Sequence, residues 1–128
     1  MADGQLKSIL CYVSLAGNNK IADWYDDLSA QGKADADEFI KNMRKTDEWK
    51  MPDYRSRLKG YKKLGELRWT SEKTEQRLVG YLKGGTFYAV VGCTHKGKVY
   101  NPADALNQAD KRKDQIESGA ARAVPYDL

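Results

Sequence analysis

A chain of 128 residues has room for one hydrophobic core and no second domain. Its 41% hydrophobic and 10% aromatic content excludes a disordered chain, and no apolar run approaches the roughly 20 residues that a membrane-spanning helix needs. The net charge is only +4, with two cysteines and one histidine, so neither a disulfide framework nor a structural zinc site is expected.

The excess charge is concentrated. Between Lys50 and Arg68 seven cations (Lys50, Arg55, Arg57, Lys59, Lys62, Lys63 and Arg68) meet two anions (Asp53 and Glu66), a net of +5. A basic patch on a nearly neutral scaffold points to a polyanionic partner, nucleic acid first, with an acidic protein or a solvated lysine loop as the other readings. Residues 1–5 are polar and include Asp3, unlike the basic start of an export signal, so a cytoplasmic protein with reduced, buried Cys11 and Cys93 is expected.

In chain order, 6–14 (LKSILCYVS) reads as a strand, broken at Gly17-Asn18-Asn19. Asn19 can cap a helix over 20–30, where Ile21, Trp24, Tyr25 and Leu28 recur at helical spacing, and Gln31-Gly32 is the expected stop. A second helix over 33–45 carries the stripe Ala36, Phe39, Ile40 and Met43, with acids early and bases late, as the helix dipole favours. The two stripes are read as core. Residues 46–59 lack periodicity and are expected to form a loop into the sheet.

Residues 60–95 hold three aromatic and β-branched runs divided by short breaks, the pattern of an antiparallel meander. Alternation puts Leu67 and Trp69 on one face and Glu66, Arg68 and Thr70 on the other. In the second run Leu78 and Leu82 oppose Arg77, Val79 and Tyr81, and in the third Phe87, Ala89, Val91 and Cys93 oppose Tyr88, Val90 and Thr94. One face is thus expected to be apolar, and the other to carry two arginines among tyrosines. That second face is either a site or a solvated surface with a Glu66–arginine ion pair. A basic turn over 96–101 follows. Pro102 then opens a last helix over 103–118 with a thin apolar stripe, and 119–128 is expected to be a loose tail.

The order of strand, two helices, meander and terminal helix resembles the RelE/ParE superfamily of bacterial toxins, above all its HigB-like, phage-derived branch. The likeness spans about 6–117 and rests on Leu64, Glu66, Leu67 and Arg68; on Arg77, Leu78 and Tyr81; on 87–93 followed by His95, Lys96 and Lys98; and on Pro102, Ala105, Ala109 and Arg112. It departs at Cys93, where the family commonly has an aromatic, and at His95-Lys96, where it has paired lysines. The resemblance implies a small α+β fold. An antiparallel sheet of about four strands would carry an N-terminal helical pair and a short C-terminal helix.

It also implies a function. The chain would be the toxin of a type II toxin–antitoxin system, an endoribonuclease needing no metal or other cofactor. It would cut messenger RNA on the ribosome, and a HigA-like antitoxin with a helix-turn-helix domain would neutralise it. Two other readings remain open: a ParE-like inhibitor of DNA gyrase, and a basic nucleic-acid-binding phage protein without catalysis.

The chemistry of RNA cleavage narrows the residues. Attack of a 2′-OH on phosphorus builds charge on the non-bridging oxygens, which fixed guanidinium groups stabilise, so Arg68 and Arg77 are the natural pair. For proton transfer the candidates are His95, which titrates near neutrality, and a lysine among cations, Lys63 above its neighbours Lys59 and Lys62. Strict alternation sends His95 to the buried face and favours the lysine; a bulge or a strand end would release it. Arg55, Arg57, Lys59, Lys62, Tyr81, Lys96 and Lys98 are the candidate RNA contacts.

Overall fold

The computed structural model describes residues 6–128 of an α+β chain; the expectation drawn from the polar residues 1–5 lies outside them. Strand β1 (Ser8–Val13) leads into helices α1 (Lys20–Asp26) and α2 (Ala30–Arg44), then a short β2 (Tyr54–Arg55). The meander is β3 (Gly65–Ser71), β4 (Thr74–Lys83) and β5 (Thr86–Lys96). Strand β6 (Val99–Asn101), helix α3 (Ala105–Ser118) and strand β7 (Arg122–Pro125) complete the chain.

The three meander strands form where the runs predict, with Leu67 opposite Leu78 and Arg68 opposite Arg77. The alternation holds through β3 and β4 but fails in β5 beyond Ala89, where Val91 and Cys93 lie on the arginine face and not on the apolar one. The sheet around it is larger than four strands and is not purely antiparallel. Its order is β2-β3-β4-β5-β1-β7, with β6 beside the far half of β5. Strand β1 runs parallel to β5, pairing Ser8 with Thr86 and Cys11 with Ala89. The helical pair supplies the long crossover that a parallel neighbour requires.

Asn19 caps α1 as expected, its Oδ1 accepting from the amides of Ile21 and Ala22. The break between the helices falls earlier than Gln31-Gly32. Ser29 begins α2 by accepting from the amide of Gly32 at 3.0 Å, and a capping hydroxyl outweighs a glycine as a boundary. Gly32 sits inside the first turn, where an added Cβ would crowd Ser29 Oγ and Leu28 Cβ. The terminal helix starts at Ala105 rather than at 103, and ends at Gly119 with φ +83°.

Helices α1 and α2 cover one sheet face through Ile21, Ala36, Ile40 and Met43 against Leu67, Trp69, Leu78 and Phe87. Part of the opposite face is covered too, because α3 sets Ala105 and Ala109 against Val79, Val91 and Cys93. Both cysteines are buried and free. No helix among the described residues is long and apolar enough to cross a membrane.

The expectation of a loose tail over 119–128 is corrected. Strand β7 pairs antiparallel with β1, and the Tyr126 amide donates to Ile9 O at 2.9 Å. The Tyr126 ring is 4% exposed and belongs to the core beside α2, and Arg44 donates to its carbonyl. Pro125 hid this strand from the sequence reading; it is tolerated because β7 lies at the sheet edge. Tyr126→Ala should therefore destabilise the fold by about 3 kcal/mol, as loss of a buried aromatic does. Its buried hydroxyl has no hydrogen-bond partner among the described residues, so Tyr126→Phe should be neutral or slightly stabilising. Urea unfolding of the two variants checks both; equal, small effects would mean that the tail contributes nothing.

A candidate anion and proton-transfer site on the meander

The site is built by a change of parity in β5. Val79 pairs with Val91 but Gly80 pairs with Ala89, so Val90 is an extra residue on β5. Before this bulge Phe87 and Ala89 face α1 and α2; after it Val91 and Cys93 face α3, and His95 follows them. Strict alternation would have put His95 on the other face. The register instead gives three rows on one face: Glu66–Val79–Val91, Arg68–Arg77–Cys93, and Thr70–Glu75–His95–Tyr100.

Two guanidinium groups directly opposite each other repel, so something must offset them. The buried carboxylate of Glu66 does, with Oε2 3.4 Å from Arg68 Nε and 3.5 Å from Arg77 Nε. Its other oxygen accepts from Tyr100 OH at 2.6 Å. Arg77 is buried and donates Nη1 to Gln76 O at 2.9 Å; its Nη2 lies 3.7 Å from Glu75 Oε2, too far for a hydrogen bond. Arg68 is partly exposed, and its Nη1 meets only the weak acceptor Met51 Sδ at 3.1 Å. Among the described residues no strong acceptor occupies the remaining donors of either guanidinium.

Both arginines line an open cleft of about 300 Å³ with Pro52, Asp53, Thr70 and Glu75. Glu75 also borders a second cleft of about 690 Å³, together with Lys73, His95, Lys96 and Val99. The hydrogen bond from Thr70 at 2.6 Å holds the Glu75 carboxyl below its usual range. The His95 imidazole is held below its ordinary value, first by partial burial and then by the Arg77 charge, against the opposing pull of Glu66. Its ring meets Tyr100 edge-on at 4.7 Å. The arrangement can receive an oxyanion between two cations and can move a proton beside it.

Not every predicted site residue arrives here. Lys59, Lys62 and Lys63 are exposed between β2 and β3. Lys63 lies at the Gly65 end of the sheet, near Glu117, whose carboxyl is held below its usual range first by the hydrogen bond from Lys113 and only then by Lys83 and Lys63. About 10 Å of strand separates Gly65 from Arg68, so Lys63 is not placed to serve the arginine pair. Arg55 is exposed opposite Glu66 on the arginine face, whereas Arg57 is exposed at φ +55° beyond the end of β2. Lys96 borders the second cleft and Lys98 is exposed in the turn after β5.

Tyr81 is corrected: it is 4% exposed, stacked on Tyr88 at 4.8 Å with Lys113 Nζ 4.9 Å from its ring, so no face is open to a base. Burial also pushes its hydroxyl pKa up to about 12. Sequence reasoning missed Glu75 and Tyr100. Glu75 was within reach, because it is two residues from Arg77 and a two-residue turn at Glu72-Lys73 sets it opposite Thr70. Among the described residues no group of three His, Cys, Asp or Glu side chains is arranged to hold a metal ion. Comparison with protein-family models, with curated proteins and with solved structures finds no match for this chain.

Proposed function

We propose that this chain is an endoribonuclease of the RelE-like, HigB-like kind, the toxin of a toxin–antitoxin pair, cutting messenger RNA on the ribosome without a metal. The observation that carries the reading is the cross-strand pair Arg68–Arg77 with His95 brought onto the same face by the bulge. The arginines stabilise charge as the 2′-oxygen bonds to phosphorus and the 5′-oxygen departs. His95, its affinity for protons lowered, is neutral at pH 7 and accepts the 2′-OH proton. Glu75, its cross-strand partner, stabilises the imidazolium that results. The bond formed is 2′-O–P and the bond broken is P–O5′; the 5′-oxygen takes a proton from water and leaves as a hydroxyl, and a 2′,3′-cyclic phosphate remains.

In this scheme Arg55, Lys96 and the exposed Lys59 and Lys62 guide the RNA backbone, and Lys63 moves from the catalytic set to that group. The partner is an antitoxin of the HigA-like, helix-turn-helix kind, encoded beside this chain.

The test is to incubate the protein with programmed ribosomes and to map new 5′ ends by primer extension. Cuts should appear in the message when the protein is added to the programmed ribosomes and be missing when it is left out. Absence of cuts on ribosomes and on free RNA would overturn the reading. If DNA gyrase supercoiling falls instead, the chain is a ParE-like inhibitor. Binding to RNA with neither effect would leave a nucleic-acid-binding module.

A further inference from the structure

We propose that Arg112, on α3, is a positioning residue that sets the face on which His95 lies. The extra residue Val90 is fully buried, and a bulge takes its backbone out of the regular ladder. A buried carbonyl at such a place needs a donor from elsewhere. Arg112 supplies it, donating Nη1 to Val90 O at 2.8 Å. The guanidinium is half-buried and lies 5.2 Å from the Tyr12 ring, so β1 and α3 fix its direction together.

Gly80 makes the bulge possible from the other strand. A Cβ there would come within 1.9 Å of Tyr88 O, so the backbones approach as only glycine permits. Gly80 permits the irregularity and Arg112 holds it. Without the extra residue, the alternation running through Phe87 and Ala89 would carry Val91, Cys93 and His95 to the α1 and α2 face. His95 would then leave Arg77, Glu75 and Tyr100. Val90 is five residues from His95, about 16 Å along an extended strand, so Arg112 acts through the strand and not on substrate.

The chain has a single histidine, so one imidazole signal reports the outcome by NMR. In Arg112→Met, which keeps the apolar stem and removes the donor, the His95 ring signal and its titration midpoint should both move from the wild-type values as the ring leaves Tyr100, Arg77 and Glu75. Amides around Val90 should exchange faster. The kinetic arm rests on the ribonuclease reading: kcat should fall about 10²-fold with KM little changed, as misplacement of a reacting group does. Arg112→Lys, a single flexible donor, should fall between the two. Leu106→Ala loosens the packing of α3 but keeps the hydrogen bond from Arg112 to Val90 O, and should leave the His95 signal in place.

A folded Arg112→Met with wild-type His95 titration overturns the proposal, as does an equal shift in Leu106→Ala. Should Arg112→Met fail to fold, Arg112→Lys decides, and a wild-type His95 there is equally fatal. If the NMR signal moves but the wild-type protein cuts no RNA, the positioning role stands and the ribonuclease reading falls.

Discussion

Arg68→Ala should lower RNA cleavage about 10²-fold or more while the fold survives. Removal of one donor that stabilises transition-state charge has that cost when the donor is fixed before reaction. Arg68 is the cleaner of the two arginines to remove, being partly exposed and held on its open side only by Met51 Sδ. Its loss leaves Glu66 facing Arg77 and Tyr100.

Arg77→Ala should cost as much in rate but also some stability, because Arg77 is buried and its removal strips the buried Glu66 of one of two cations. Arg77→Lys separates the effects: it restores a charge near Glu66 but not the planar fork that can clamp a phosphate with two donors. It should recover stability and little of the rate. Single-turnover cleavage and thermal unfolding, measured on the same preparations, read both quantities. Should folded Arg68→Ala cut at the wild-type rate, the arginine pair is an ion-pair network and not a site.

How much of this was legible from residues alone depends on whether a feature is local. The three meander strands, the Asn19 cap, the Ala36–Ile40–Met43 stripe and the shared face of Arg68 and Arg77 all follow from period and turn chemistry within one segment. What was missed is pairing across the chain. Strand β7 and the two-residue β2 are too short to show a period, and each exists because a distant strand offers an open edge. The bulge at Val90 leaves no mark in a run that reads TFYAVVGCT; its only trace is Gly80 on the facing strand. Alternation was therefore right about Arg68 and Arg77 and misleading about His95. For Lys63, nearness in sequence to a strand arginine did not become nearness in space, because the strand carries Arg68 away from it.

His95→Gln should remove between about 10² and 10⁴ of the rate, the span typical of a positioned proton acceptor, and leave RNA affinity almost unchanged. The accompanying pH dependence has a definite sign. An imidazole accepts a proton only when neutral, and His95 is held below its ordinary 6.5 by burial and by Arg77. Activity in kcat/KM should accordingly be level at neutral pH and be lost as pH falls through that depressed value. An imidazole of ordinary environment would show the loss already near 6.5. The two neighbours should move the profile in opposite directions: Glu75→Gln removes a carboxylate that favours the imidazolium and pushes the midpoint lower, whereas Arg77→Ala removes a cation that disfavours it and pushes the midpoint higher. NMR titration of the single imidazole should give the same midpoint as kcat/KM, since both report the free enzyme. A kinetic midpoint that survives His95→Gln would assign the proton to another group. A flat profile in the wild type, with the NMR midpoint in the same pH range, would mean that His95 titrates without taking part in the reaction.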